Sequence, residues 1–194
     1  MINNNAKLFV FSAPSGTGKT TIIQDVLSNN PEFVFSISVT TRKQRKGEID
    51  GVHYYFVDEA QFLKNIEEDK FIEWEKFYDY YYGTLKETIN LNLKAGRTIV
   101  FEVDVKGALK IKKQYPSAVL IFIAPPSMEI LKERLVKRNT ETEEDLRKRI
   151  ERSELEMSFK DNFDYVVTNL ELEIAKEEVK KIIENETMEV KNGN

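Results

Sequence analysis

The sequence predicts an α/β fold in which a parallel sheet is flanked by helices and interrupted by a small, mostly antiparallel insertion. Three observations predict it. Short apolar runs alternate with amphipathic helical patterns along much of the chain. The small-residue stretch Ala13-Pro14-Ser15-Gly16-Thr17-Gly18-Lys19-Thr20 joins the first such run to the first helical pattern. Residues 37–84 break the alternation with β-branched and aromatic segments separated by turn residues. A length of 194 residues suits one domain with small insertions, and no linker, internal repeat or low-complexity segment divides it.

Each element has its own reason. Lys7–Ser12 is almost continuously apolar, as a strand covered on both faces must be. Lys19–Leu27 follows as a helix with Ile22, Ile23 and Val26 on one face, ending before Asn29-Asn30-Pro31. Thr98–Val103 and Ala118–Ile123 are two further buried strands, and Tyr165–Val167 is a shorter one. Helices are expected near Gly107–Gln114, Met128–Arg138 and Ile174–Glu184, with Ser127 as an N-cap after Pro125-Pro126. The polar tail from Lys191 to Asn194 is expected to fray. Alternating strands and helices imply parallel pairing by crossovers, with ligands at the carboxyl ends of the strands. Inside the insertion, Val52–Val57 and Phe71–Phe77 are expected strands, and Gly47, Asp50-Gly51 and Gly83 are turn signals. Asp58 caps a helix running to about Asp69, with Phe62, Leu63 and Ile66 on its apolar face. Thr84-Leu85-Lys86-Glu87 has capping-box spacing ahead of a helix that places Leu85, Ile89 and Leu93 together.

Composition excludes several function classes. The absence of Cys removes disulfides, thiolate metal sites and cysteine nucleophiles. A single His, His53, argues against a His-based metal cluster or a Ser-His-Asp triad, and reads as a surface residue. No apolar run approaches the roughly 20 residues of a membrane span. Met1–Asn5 lacks the pattern of a signal peptide, so a cytoplasmic location is expected. The net charge is −4, yet Arg42, Lys43, Arg45 and Lys46 cluster, as do Arg134, Lys137, Arg138, Arg147, Lys148, Arg149 and Arg152. A positive cleft in an acidic surface focuses phosphate without making a nucleic-acid binder. No obligatory protein partner is evident.

The stretch from Ala13 to Thr20 carries the chemistry. A strand, a small-residue loop and a helix N-terminus make an anion cradle, in which backbone N–H groups converge on phosphate oxygens. The Lys19 ammonium can bridge the outer phosphates of a nucleoside triphosphate, and Thr20 sets a hydroxyl where Mg²⁺ would be held. Ala13 stands where this pattern has Gly. Gly16 and Gly18 keep the conformational freedom where backbone approaches phosphate.

The chain resembles the guanylate kinase family, and the resemblance covers nearly its whole length. It is carried by Ser12–Thr20, by Ser38-Val39-Thr40-Thr41-Arg42 with Arg45, Gly47 and Glu48, and by Gly51-Val52-His53-Tyr54-Tyr55-Phe56. Phe71-Ile72-Glu73-Trp74, Tyr81-Tyr82-Gly83-Thr84, and Arg134 through Arg149 enclosing Thr140–Glu144 complete it, in order and at the family's spacing. The resemblance implies a P-loop NTPase core (1–36, 85–125 and 159–194), a GMP-binding insertion (37–84) and a helical lid (126–158). It implies Mg²⁺-dependent transfer of the γ-phosphoryl group of ATP to GMP, and to dGMP, within purine nucleotide metabolism.

The resemblance also implies residue roles. Ala13 through Thr21 would hold ATP, with Asn169 near the donor base. Arg42, Arg45, Tyr54 and Tyr82 would hold the GMP phosphate, since guanidinium forks and phenol hydroxyls suit an oriented dianion. Glu73 would read guanine, whose N1–H and 2-amino groups are adjacent donors facing an acceptor-only carboxylate. Thr84 and Ser38 would support the base. Glu102, standing where Asp is expected, would join them in binding GMP. Lys19, Arg42, Arg134, Arg138 and Arg149 would act on the transferring group, with Asn139 standing where relatives often have Gly. Asp104 is placed either beside the Mg²⁺ held by Thr20 or as a loop cap. Two other readings are a catalytically silent interaction module, which should lose Lys19 or the phosphate arginines, and a phosphotransferase for another acceptor, which should lack Glu73 or the Arg42/Arg45 pair.

Overall fold

The computed structural model describes residues 6–77, 79–137 and 143–192. Arg138, Asn139 and Thr140 lie outside the described residues. The elements run β1 (Leu8–Ser12), α1 (Lys19–Asn29), β2 (Val34–Phe35), β3 (Val39–Thr40), β4 (Tyr55–Phe56), α2 (Glu59–Glu67), β5 (Phe71–Phe77), β6 (Tyr80–Leu85) and α3 (Lys86–Lys94). They continue with β7 (Ile99–Glu102), α4 (Val105–Gln114), β8 (Val119–Ala124), α5 (Met128–Lys137), α6 (Glu143–Met157), a short 3₁₀ turn (Lys160–Asn162), β9 (Tyr165–Thr168) and α7 (Leu172–Asn192).

The larger sheet has the order β2-β7-β1-β8-β9 and is parallel throughout. Alternate side chains of β1 serve two cores, because successive residues of a strand point to opposite faces. Val10 packs with Phe101, Leu120 and Phe122 against Ile89 and Leu93 of α3 and Ala108 and Ile111 of α4. Phe9 and Phe11 pack with Val100, Ile121 and Ile123 against Ile22, Ile23 and Val26 of α1 and Val179 and Ile183 of α7. Both faces of β1 are therefore dry, which is why its sequence does not alternate. Its carboxyl end delivers the chain into the small-residue loop, beside the ends of β7 and β8.

The second sheet has the order β4-β3-β6-β5, with β5 and β3 each antiparallel to β6 and β4 parallel to β3. Its small core joins Val39, Phe62 and Phe71, and the Phe62 ring stacks on Phe71 at 4.5 Å and on Tyr81 at 5.3 Å between centroids. The expected helix after Asp58 is α2, and Asp58 Oδ1 accepts from the Gln61 amide at 2.7 Å.

Some expectations are corrected here. Gly83 is not a turn: it lies inside β6, and a Cβ there would sit 3.0 Å from both Phe71 Cδ1 and Trp74 Cβ. Glycine in a strand interior commonly marks such a close approach. The Thr84–Glu87 capping box does not form. Leu85 is the N-cap of α3 and no side chain caps it, because the Thr84 hydroxyl is spent on Glu73. Of the expected Val52–Val57 strand, Tyr55–Phe56 pairs with β3 and Tyr54 makes an isolated bridge to Asp50, while Gly51–His53 form a turn. The short strands β2 and β3 are too brief to carry periodicity, and β6 hides in a tyrosine-rich run. α7 reaches Asn192, past the expected end at Glu184.

Candidate active site

The loop from Ala13 to Thr20 is a tight turn held from outside. Gly16 and Gly18 have φ of 91° and 88°, a left-handed region open to glycine at little cost. A Cβ on Gly18 would stand 2.7 Å from Asn169 Nδ2, so any side chain there would displace the Asn169 amide. The buried Thr17 closes the turn by donating its hydroxyl to the Pro14 carbonyl at 2.9 Å. Asn169, at the end of β9, donates its side-chain amide to the Thr17 carbonyl at 2.6 Å, and its own N–H to Ala124 at 2.8 Å. Asn169 thus meets the loop itself. Ala13 and Pro14 are buried, whereas Ser15, Thr20 and Thr21 are exposed.

α1 begins at Lys19 with no acidic side chain in its first turn, leaving the positive end of its dipole uncompensated. Lys19 Nζ lies 3.6 Å from Glu102 Oε1, and the Thr20 hydroxyl donates to the same oxygen at 3.0 Å. Glu102 closes β7 beside this loop. Its charge also reaches Tyr54, whose phenol is pushed above its ordinary pKa by burial first and by Glu102 second.

Beside the second sheet, Arg42 is only 8% exposed. Its guanidinium grips Glu48 bidentately at 3.0 and 2.7 Å and donates to the Lys43 carbonyl at 2.8 Å. Those bonds take three of the five N–H donors of an arginine, and Tyr82 also interacts with the guanidinium. The Tyr54 and Phe56 rings lie 5.4 and 5.7 Å from the Arg42 centre, and Tyr54 meets Tyr82 edge-on at 6.1 Å. Glu48 also accepts from the Arg45 amide at 2.7 Å, leaving the Arg45 side chain exposed. Hydrogen bonds from Arg42 and then Arg45 hold the Glu48 carboxyl down to about 2. Ser38 is half-buried in the same sheet, and its carbonyl accepts from the Tyr55 amide.

Glu73 is 7% exposed and accepts the Thr84 hydroxyl at 2.6 Å. Burial pushes its carboxyl up to about 7, against the lowering effect of the Thr84 bond and with some help from the charge of Asp104. α4 backs it closely: a Cβ on Gly107 would lie 2.9 Å from Glu73 Oε2. Asp104 is the N-cap of α4. Its Oδ1 accepts from the Gly107 amide at 2.6 Å and its Oδ2 from Arg152 at 3.2 Å.

Arginines of α5 and α6 reach the Ala13–Thr20 loop and Asn169, which braces it. Arg134 donates to the Asn169 carbonyl at 3.2 Å, and Arg149 to the Ser15 hydroxyl at 3.2 Å. Glu48, Gly107, Arg152 and the buried Glu156 were given no role by sequence reasoning. For Arg152 and Glu156 the i,i+4 spacing, a 3.0 Å pair here, is the signal the sequence carries.

Among the described residues no group of three or more His, Cys, Asp or Glu side chains could hold a metal ion by itself. The Thr20 hydroxyl and Glu102 carboxylate are a pair of hard oxygen donors at the mouth of the loop. Such a pair fits a Mg²⁺ ion that keeps waters and shares nucleotide phosphates. No helix among the described residues is long and apolar enough to cross a membrane.

Comparison with known proteins bears on this geometry. The family model described as guanylate kinase matches residues 5–186. The guanylate kinase of Chlorobium chlorochromatii is 49% identical over 185 residues, covering 95% of this chain and 97% of that protein. That of Carboxydothermus hydrogenoformans is 46% identical over 187 residues, covering 96% and 92%. The crystal structure of guanylate kinase from Anaplasma phagocytophilum superimposes with a TM-score of 0.75 at 31% identity, covering 94% of this chain and 87% of that one. A phosphate loop at the end of β1, an arginine–tyrosine cluster and a buried carboxylate in the second sheet agree with these likenesses, and the chain belongs to the guanylate kinase family.

Proposed function

We propose that this protein transfers the γ-phosphoryl group of ATP to GMP, giving ADP and GDP, and takes dGMP by the same contacts. The single observation that carries the reading is Glu73: a nearly buried carboxylate, braced by Thr84, in a sheet whose neighbouring residues form an arginine–tyrosine anion site. Two oxygens spaced for parallel acceptance match the N1–H and 2-amino donors of guanine. Adenine would present a lone pair to them, and hydrogen-bonding sites reject such analogues by ~10⁴ or more.

The chain's own residues account for the rest. The loop amides and Lys19 bind the donor phosphates, while Arg42, Arg45, Tyr54 and Tyr82 orient the acceptor phosphate for in-line attack. Thr20 and Glu102 would hold Mg²⁺, which would supply charge neutralisation at the donor phosphates when bound. Arg134 and Arg149, with Arg138, supply positive charge to the transferring group and help exclude water as the segment 126–158 closes as a lid over the core. The segment 37–84 serves as the acceptor-binding unit. The reaction belongs to purine nucleotide metabolism in the cytoplasm, with ATP and GMP as the partners. A coupled assay of ADP formation with ATP and Mg²⁺, comparing GMP, AMP, UMP and CMP, tests the reading. A strong preference for GMP is expected, and equal turnover of AMP would overturn it.

A further inference from the structure

Strand β5 alternates after its bulge, with Glu73, Glu75 and Phe77 on the inward face and Trp74 and Lys76 outward. One side chain from α6 grips that inward face. The Arg152 guanidinium lies 4.2 Å from the Phe77 ring centroid and 3.7 Å from Glu75 Oε2. It also donates to Asp104 Oδ2 at 3.2 Å and to Glu156 Oε1 at 3.0 Å. Glu75 Oε2 is buried with no hydrogen bond, so Arg152 is the cation that compensates it among the described residues. Asp104, the third carboxylate, caps the helix whose Gly107 backs Glu73. The two surfaces that fix the position of Glu73, its own strand and α4, are therefore both tied to one arginine.

That arginine stands three residues after Arg149, which reaches Ser15 of the phosphate loop from the same helix. Residues three apart on a helix share a face. A single turn of α6 thus touches the donor loop with one arginine and the acceptor wall with the next. We propose that Arg152 is a positioning residue: it locks the Glu73-bearing face of β5 against α4, and so links recognition of the acceptor base to the docking of α6 over the donor loop. This rests on the guanylate kinase reading and names a residue that acts through Glu73.

The test uses Arg152→Met, Arg152→Lys, Glu75→Gln and the Arg152→Met/Glu75→Gln double variant, with KM for GMP and for ATP, kcat and thermal melting. Arg152→Met is expected to raise KM for GMP about tenfold while KM for ATP stays within about twofold. Arg152→Lys should recover much of the loss by restoring the charge. The double variant should be little worse than Arg152→Met, because residues in one network are not additive. An unchanged KM for GMP in Arg152→Met, equal rises in both KM values, or full additivity overturns the proposal. Should Arg152→Met not fold, an unchanged KM for GMP in both Arg152→Lys and Glu75→Gln overturns it. The wild-type protein is assayed first, and its failure to use GMP would count against the functional reading alone.

Discussion

Gly107→Ala sets two ordinary rules against each other, and the structure says which wins. Replacing a helical glycine by alanine normally gains up to about 1 kcal/mol. Here the new methyl would lie 2.9 Å from Glu73 Oε2, 3.1 Å from Asp104 Oδ1 and 3.3 Å from Val103 Cβ. The Val103 carbon belongs to backbone-anchored core, so the carboxylate is the group that must yield. Moving from 2.9 Å to the 3.4 Å of ordinary contact needs a shift of about 0.5 Å, large enough to strain the 2.6 Å bond from Thr84. The same shift would misalign the bonds Glu73 offers to guanine, and a hydrogen bond to a charged group is worth about 1.5–3 kcal/mol, or roughly 10–150-fold in affinity. The expected result is a KM for GMP raised by about that factor, an ATP KM within about twofold, and a melting temperature little changed. Steady-state assays with each substrate varied in turn, beside a thermal melt, measure all three. A KM for GMP close to wild type would refute the argument that α4 shapes the guanine pocket, and a parallel loss on both substrates would do the same.

Glu73→Gln should depress activity with GMP far more than it alters ATP binding, and equal losses in separate titrations would contradict the assignment. The same residue fixes a pH dependence. Its folded pKa of about 7 lies above the ordinary 4.5, so its contribution to stability is full below 4.5 and is lost as pH rises through 7. The ligand-free melting temperature should therefore fall between about pH 4.5 and 7 and level off above, while GMP affinity rises through about pH 7 because the carboxylate is the accepting form. Glu73→Gln should flatten both profiles, and a variant that keeps the wild-type slopes would sink the explanation. Lys19→Ala should cut turnover steeply while circular dichroism stays native, so near-normal turnover would remove its role. Glu48→Gln should weaken GMP binding by loosening Arg42, measured as a higher KM for GMP at constant ATP KM.

The core was legible because its signals are local. The unbroken apolar run of Leu8 to Phe11 announces a strand dry on both sides, and the spacing of Gly16, Gly18, Lys19 and Thr20 announces an anion cradle. The second sheet was only partly legible. A capping-box pattern at Thr84 is a local preference, and it yielded to a distant carboxylate that needed a donor. Gly83 looked like a turn because a sequence does not show which side chains press on a strand from its neighbour. The contacts around Arg152 join residues 75, 104 and 156 through tertiary placement, and only Arg152 to Glu156 has a spacing that sequence can reveal.

The bond from Asn169 to the Thr17 carbonyl spans 152 positions along the chain. During synthesis the glycine-rich segment emerges first and its brace emerges near the end. Until the ribosome has released the final strand, the nascent polypeptide carries an unfinished cradle with its carbonyl unsupported. Competence to capture nucleotide is therefore deferred until Asn169 has been made, and a chain cut short before that asparagine would keep the signature motif yet lack the brace that holds it in shape.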